Sequence, residues 1–222
     1  MKYLIAIGIC LGYMIFPGFS QEEPHFKIAR LKYEGGGDWY SNETSLPNLI
    51  QFINQHSNVR ILDKEEVVEP GGSQIFQYPY VYLTGHGNVS FSESDARNLR
   101  LYLISGGFLH IDDNYGMYEN GYIRREMKNV FPELEFVPLP FNHDIYHEHF
   151  EFENGLPKIH EHDNQPPKGL ALIYEGRVVV FYTVESDLGD GWEDPNVHND
   201  PEEIRKQALQ MGANIVLWAI NH

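Results

Sequence analysis

The chain is nearly without cysteine. Among its 222 residues only Cys10 carries a thiol, and it lies inside an apolar leader. Residues 1–20 read as a secretory signal peptide: Lys2 is the positive n-region, Leu4 to Phe16 the apolar h-region, and Gly18-Phe19-Ser20 a small-x-small cleavage site before Gln21. Cleavage there leaves no thiol, which excludes a disulfide and a cysteine nucleophile and argues against a structural zinc site. The alternative for this segment is an uncleaved membrane anchor. Its length argues against that, because the apolar run is shorter than a spanning helix.

Basic residues are scarce as well. Lys and Arg number 16 against 32 Asp and Glu, a formal charge of −16, or −17 once Lys2 is lost. That balance argues against nucleic acid, which favours basic patches, and against adhesion to anionic lipid. No membrane insertion is expected after cleavage. A secreted or periplasmic domain that meets cations fits the acidity, and so does a plain need for solubility. There is no GxSxG elbow and no Walker loop, and Gly35-Gly36-Gly37 lacks the spacing of a dinucleotide fingerprint. Ser90, Ser92 and Ser94 surround a helix start where capping accounts for them, so a Ser–His–Asp hydrolase is remote. Internal repeats and low-complexity segments are absent.

What is present is organised around Val81 to Gly116. Val81 to Thr84 is a β-branched and aromatic run that stops at Gly85-His86-Gly87. Ser92 with Asp95 reads as a capping box; Ala96, Leu99 and Leu103 then share one helical face, and Gly106-Gly107 ends the helix. A second apolar run, Phe108 to Ile111, ends at Asp112-Asp113-Asn114. Two strands joined by one helix are normally parallel, so both strand ends lie at one sheet edge, where open α/β sheets keep their ligand crevices.

On either side the same grammar continues. Phe26 to Tyr33 reads as the first strand, and Leu46, Leu49, Ile50 and Ile53 give a helix with Pro47 in its first turn. Val59 to Leu62 is a second strand, and Glu65 to Gln77 reads as mostly loop. Gly121 to Phe131 is helical up to Pro132, and Phe136-Val137 is a short strand. Residues 138–167 are irregular, acidic and rich in histidine. Leu170 to Tyr174 and Arg177 to Val184 form a hairpin about Glu175-Gly176. Ser186 to Asn199 reads as a loop, and Asp200 as the cap of a last helix whose stripe Ile204, Ala208, Met211, Ile215 and Trp218 is core. The expectation is one α/β domain over residues 21–222, a mainly parallel sheet with helices on both faces and a late β-hairpin.

Four strand-end loops should meet at one edge. They offer Asp38, Trp39 and Tyr40; Gly85, His86 and Gly87; Asp112, Asp113, Asn114 and Tyr115; and Asp187, Asp190 and Trp192. Carboxylates with a histidine suit acid–base chemistry, with His86, Asp112 and Asp113 as the catalytic candidates, or a divalent cation as cofactor. The aromatics suit the apolar faces of a carbohydrate-like or peptide ligand. The plain structural reading is also open: Asp and Asn favour strand ends, and Gly favours tight turns, with no ligand at all. A second cluster, His143 and His147, has the i, i+4 spacing of helical zinc pairs, although HExxH fails there, and surface histidines account for it better. His160 and His162 resemble it more weakly.

Several blocks together resemble a known family. FKIARLKY from Phe26 with GGGDWY from Gly35, LTGHG from Leu83, GGFLHIDD from Gly106, SDLGDGWED from Ser186 and ALQMGANI from Ala208 are similar to the successive blocks of the bacterial domain-of-unknown-function 4159 family. The resemblance implies a flavodoxin-like sheet of the class I glutamine-amidotransferase-like type. It does not imply amidotransferase activity, which needs a cysteine after a strand. Three functions stay open: binding of a small polar ligand, a metal-assisted hydrolase or lyase reaction, and a non-catalytic role beside an envelope protein partner.

Overall fold

In a computed structural model, residues 25–222 are described; residues 1–20, expected to be a signal peptide, lie outside them. The chain runs β1 (His25–Phe26), β2 (Ile28–Leu31), α1 (Ser45–His56), β3 (Arg60–Ile61), β4 (Glu66–Val68), β5 (Tyr80–His86), α2 (Glu93–Ile104), β6 (Phe108–Tyr115), α3 (Tyr122–Val130), β7 (Val137–Pro138), β8 (Lys168–Tyr174), β9 (Arg177–Val184), α4 (Leu188–Trp192), α5 (Pro195–His198) and α6 (Glu202–Asn221). Seven strands form the main sheet in the order β4-β2-β5-β6-β9-β8-β7, and β1 pairs with β3 apart from it. The steps from β4 to β9 are parallel; β8 is antiparallel to both β9 and β7. The sheet is therefore mixed, with five parallel strands and the hairpin at one side.

Period-two alternation sends side chains to opposite faces. Leu31, Val81, Leu83, Leu109, Ile111 and Val180 pack with Leu99, Leu103 and Ile123, from α2 and α3. Ile28, Tyr80, Tyr82, Phe108 and Phe181 pack with Leu49, Ile53, Met211 and Ile215, from α1 and α6. Helices thus cover both faces, and both cores reach the central strands.

Four local readings need correction. Glu66–Val68 is an edge strand, where a loop was expected, because it pairs with β2. Short helices α4 and α5 occupy the expected loop after β9. Asp200 does not cap α6: that helix starts after Pro201 with no side-chain cap, and the Asp200 carboxylate faces His160 instead. Finally, β6 does not end at Ile111. It continues to Tyr115, with Asp112 opposite Thr84 and Thr183, and Asp113 opposite Gly85.

Candidate functional site

The order of the strands places a reversal between β2 and β5: β2 leads outward to β4, and β5 leads the other way to β6. Crevices form outside strand ends at such points. The loops there carry Asp38 and His86. The Asp38 carboxylate accepts from the His86 backbone N–H through Oδ1, and its Oδ2 lies 3.1 Å from His86 Nδ1. Gly85, at φ +133, is needed for this approach, since a Cβ would stand 2.8 Å from Asp38 Oδ1 and 2.5 Å from the Tyr33 hydroxyl. Gly87 also has positive φ. The His86 side chain is 53% exposed, Tyr40 is exposed, and Trp39 packs edge-on to it while leaning on the α2/α3 core.

Asp112 and Asp113 are both buried in β6 and point to opposite faces. Asp112 accepts from Thr183 Oγ1 at 2.5 Å, the Gly189 N–H at 2.7 Å and the Tyr82 hydroxyl at 3.3 Å. Asp113 accepts from the N–H groups of Met117 at 3.1 Å and Tyr118 at 2.7 Å, and from the Tyr182 hydroxyl at 3.0 Å. Every neighbour is a donor, which is why two acids can sit inside a central strand. Burial outweighs these donors and raises each carboxyl to about 6. Neither carboxylate contacts His86. The three reach one edge without sharing a pocket, because the pleat sends the two acids to opposite faces, each into its own set of donors.

A second cluster forms beyond the end of β9. Glu185 and Asp187 both have left-handed φ, +58 and +57, a conformation costly for residues with a Cβ. Lys158 holds Glu185 at 2.6 Å, the Ser186 hydroxyl donates to the Pro157 carbonyl at 2.6 Å, and the Ile159 N–H donates to the Ser186 carbonyl at 3.0 Å. These contacts pin residues 157–162 over the turn and deliver two histidines. His162 Nε2 lies 2.5 Å from Asp187 Oδ2, and His160 Nδ1 lies 3.1 Å from Asp190 Oδ2. Asp187 is fully buried, and its Oδ1 has no hydrogen-bond partner among the described residues. Burial first, then the charges of Asp112, Asp190 and Asp113, push its carboxyl up to about 9. Asn42, tolerant of its φ of +58, ties the strand ends together. Its amide donates to Asp190 Oδ1 at 2.7 Å and accepts from Asn114 at 2.8 Å, and Asn114 accepts from Thr84 at 2.8 Å. Tyr115, half exposed, lies over the His162 ring with centroids 4.8 Å apart.

The family described as "Domain of unknown function (DUF4159)" matches residues 27–220. The chain belongs to the DUF4159 family. Comparison with curated proteins gave no match.

In this DUF4159 chain three expected site residues fall elsewhere. Trp192 is fully buried, donates from Nε1 to the Ala208 carbonyl at 2.7 Å and packs on Tyr82 and His110. It is core, because α4 folds back onto α6, and it gives no apolar face to a crevice. His143 and His147 do not form a metal pair. They flank a single 3₁₀ turn, Asp144–Tyr146. His143 Nδ1 accepts from the Ile145 N–H, whereas both His147 nitrogens are taken, by Glu151 and by the Phe141 carbonyl. The DUF4159 residues that sequence reading underrated are His160 and His162, and those it missed are Asn42 and His198. The histidine-rich irregular segment was the signal for the first two; nothing local marks Asn42.

Proposed function

We propose that this DUF4159 domain binds a small, uncharged polar ligand, carbohydrate-like or peptide, at the C-terminal edge of β6 and β9, with Asp187 at the centre. One observation carries the reading: a fully buried carboxyl oxygen, Asp187 Oδ1, without a partner among the described residues. Leaving such an atom unpaired costs about 1–3 kcal/mol, and the left-handed φ at the same residue adds to the cost. Strain and an unmet hydrogen bond at one residue, beside a crevice, point to a ligand group as the missing partner. The adjoining crevice, lined by Asn114, Tyr115, His162 and Glu185, has a cavity of about 10 Å³, room for roughly one water-sized group; Asp187 lies behind this lining, joined to it through His162. A single hydroxyl or amide would enter it, and the rest of the ligand would lie on exposed Tyr115.

The same proposal covers place and kinship. The parallel strands, the reversal between β2 and β5 and the two helical layers support a flavodoxin-like, amidotransferase-like ancestry. Glutamine amidotransferase activity is not part of the reading, since residues 21–222 hold no cysteine. The leader sequence supports a secreted or periplasmic site of action. Hydrolysis run jointly by His86, Asp112 and Asp113 is less well supported, as each is engaged separately.

A thermal-shift screen of polyols and short peptides tests the reading, run on wild type and on Asp187→Gly. Glycine keeps the left-handed backbone and removes the carboxyl. The expected result is a ligand that raises the Tm of wild type alone. A ligand that shifts both equally would overturn the role of Asp187.

A further inference from the structure

Beside the crevice lies a group of residues that ligand binding does not use. His160, Asp190 and His198 each offer one atom, and these atoms all lie within 4.8 Å of one another. His160 Nδ1 stands 3.1 Å from Asp190 Oδ2, and His198 Nε2 stands 3.8 Å from the same oxygen. A zinc-type ion with ligand bonds near 2.0–2.1 Å and tetrahedral angles sets its ligand atoms about 3.3–3.4 Å apart. The two separations from Asp190 bracket that value, and the third, between the two imidazole nitrogens, is no more than 4.8 Å.

The surroundings are those of an oriented ligand set. His160 turns its other nitrogen to Asp200, at 3.0 and 3.1 Å from the two carboxylate oxygens. A metal-ligating imidazole is commonly held in this way, by a carboxylate on its far side. With the His160 Nε2 proton donated to Asp200, the Nδ1 lone pair faces the Asp190 carboxylate, and two acceptors 3.1 Å apart need a cation between them, a proton or a metal. Asp190 is held through its other oxygen by the Asn42 amide, at 2.7 Å, which leaves Oδ2 for the ion. Asp187 Oδ2 lies 3.7 Å from His160 Nδ1, and Glu193 lies 2.9 Å from His198 Nε2. Four carboxyl groups thus enclose two imidazoles. Even with both imidazoles protonated and Asp187 neutral, the group keeps a net negative charge.

We propose that His160, Asp190 and His198 form a binding site for a divalent first-row transition ion such as zinc. Two imidazoles with one carboxylate favour such an ion over magnesium or calcium, which take oxygen ligands. The three ligands leave a coordination position open, as in sites where the ion meets water or a substrate atom. This site does not rest on the ligand reading of the neighbouring crevice, and its test uses no ligand.

The full chain, purified without a histidine tag and stripped with chelator, is titrated with cobalt(II) and then with zinc. The expected result is one equivalent of cobalt with the visible absorption of a low-coordinate site, bleached by one equivalent of zinc. His198→Ala, at a side chain 31% exposed, should abolish the stoichiometric absorption. Asp200→Asn should weaken cobalt binding by roughly 10–100-fold, and His147→Ala should leave it unchanged. Circular dichroism confirms that each variant is folded. No stoichiometric absorption in wild type, or equal absorption in His198→Ala, would overturn the proposal.

Discussion

Between β5 and β9 one chain of side chains decides how Asp112 is held. Tyr80 and His110 Nδ1 are 2.8 Å apart, His110 Nε2 and Thr183 Oγ1 are 3.1 Å apart, and Thr183 donates to Asp112. His110 is fully buried, and desolvation lowers it to about 3, so it is neutral and carries one ring proton. The assignment that satisfies every member runs in one direction: Tyr80 donates to Nδ1, Nε2–H donates to Thr183, and Thr183 donates to the carboxylate. Thr183→Val keeps the shape and removes the link at both ends. It should cost about 1–3 kcal/mol in urea denaturation; a loss below 0.5 kcal/mol, roughly the scatter of a surface change, would show that the chain is incidental.

Asp113 gives a pH prediction at the same scale. Its folded pKa is raised from 3.8 to about 6 by burial, with the charge of Glu119 adding to the rise and the donors Met117, Tyr118 and Tyr182 opposing it. The native state then holds a proton that the unfolded state has lost, so this group's contribution to stability falls as pH rises through that window. The loss is on the order of 3 kcal/mol above the folded pKa. Asp113→Asn removes that dependence, and the fixed cost of a mismatched amide does not change with pH. The stability difference, variant minus wild type, should therefore move in favour of the variant between pH 3.5 and pH 7.5. A difference constant with pH would show that Asp113 ionises as freely folded as unfolded.

At the scale of elements, local rules were enough where an element satisfies itself. Ser92 accepts from the Asp95 N–H and Asp95 Oδ2 accepts from the Ser92 N–H, the reciprocal box legible in the sequence. Ser92→Ala should cost about 1 kcal/mol of stability by denaturant unfolding, and an unchanged midpoint would deny the box its role. The β8–β9 turn was equally legible: Glu175 and Gly176 both take positive φ, as a two-residue hairpin turn demands. Reading failed where a distant partner decides. Val67 and Val68 look like loop until β2 is placed beside them. Asp200 looks like a cap until His160 arrives from forty residues away. Asp112 and Asp113 look like a turn because acids rarely continue a strand, and only donors from β5, β9, α4 and the turn after β6 make that continuation stable.

For the whole molecule, the edge that gathers the candidate residues was legible and its internal division was not. Parallel β5 and β6, the glycines and the acids all pointed to one rim. Side-chain direction then divided it into an exposed His86–Asp38 pair at the reversal of strand order and a buried group around Asp187. His160 and His162 join that group because residues 157–162 are tied to the turn after β9, a contact invisible in local periodicity. Among the described residues no helix is long and apolar enough to cross a membrane. The central claim is that the Asp187 crevice, rather than the His86 pair, receives the ligand. Isothermal titration of the best ligand from the thermal-shift screen into wild type, His86→Ala and Asp187→Gly tests it most directly. Wild type and His86→Ala should bind with Kd values within a factor of about two, and Asp187→Gly should bind at least tenfold more weakly, about 1.4 kcal/mol, while staying folded. Full binding by Asp187→Gly together with lost binding by His86→Ala would contradict it.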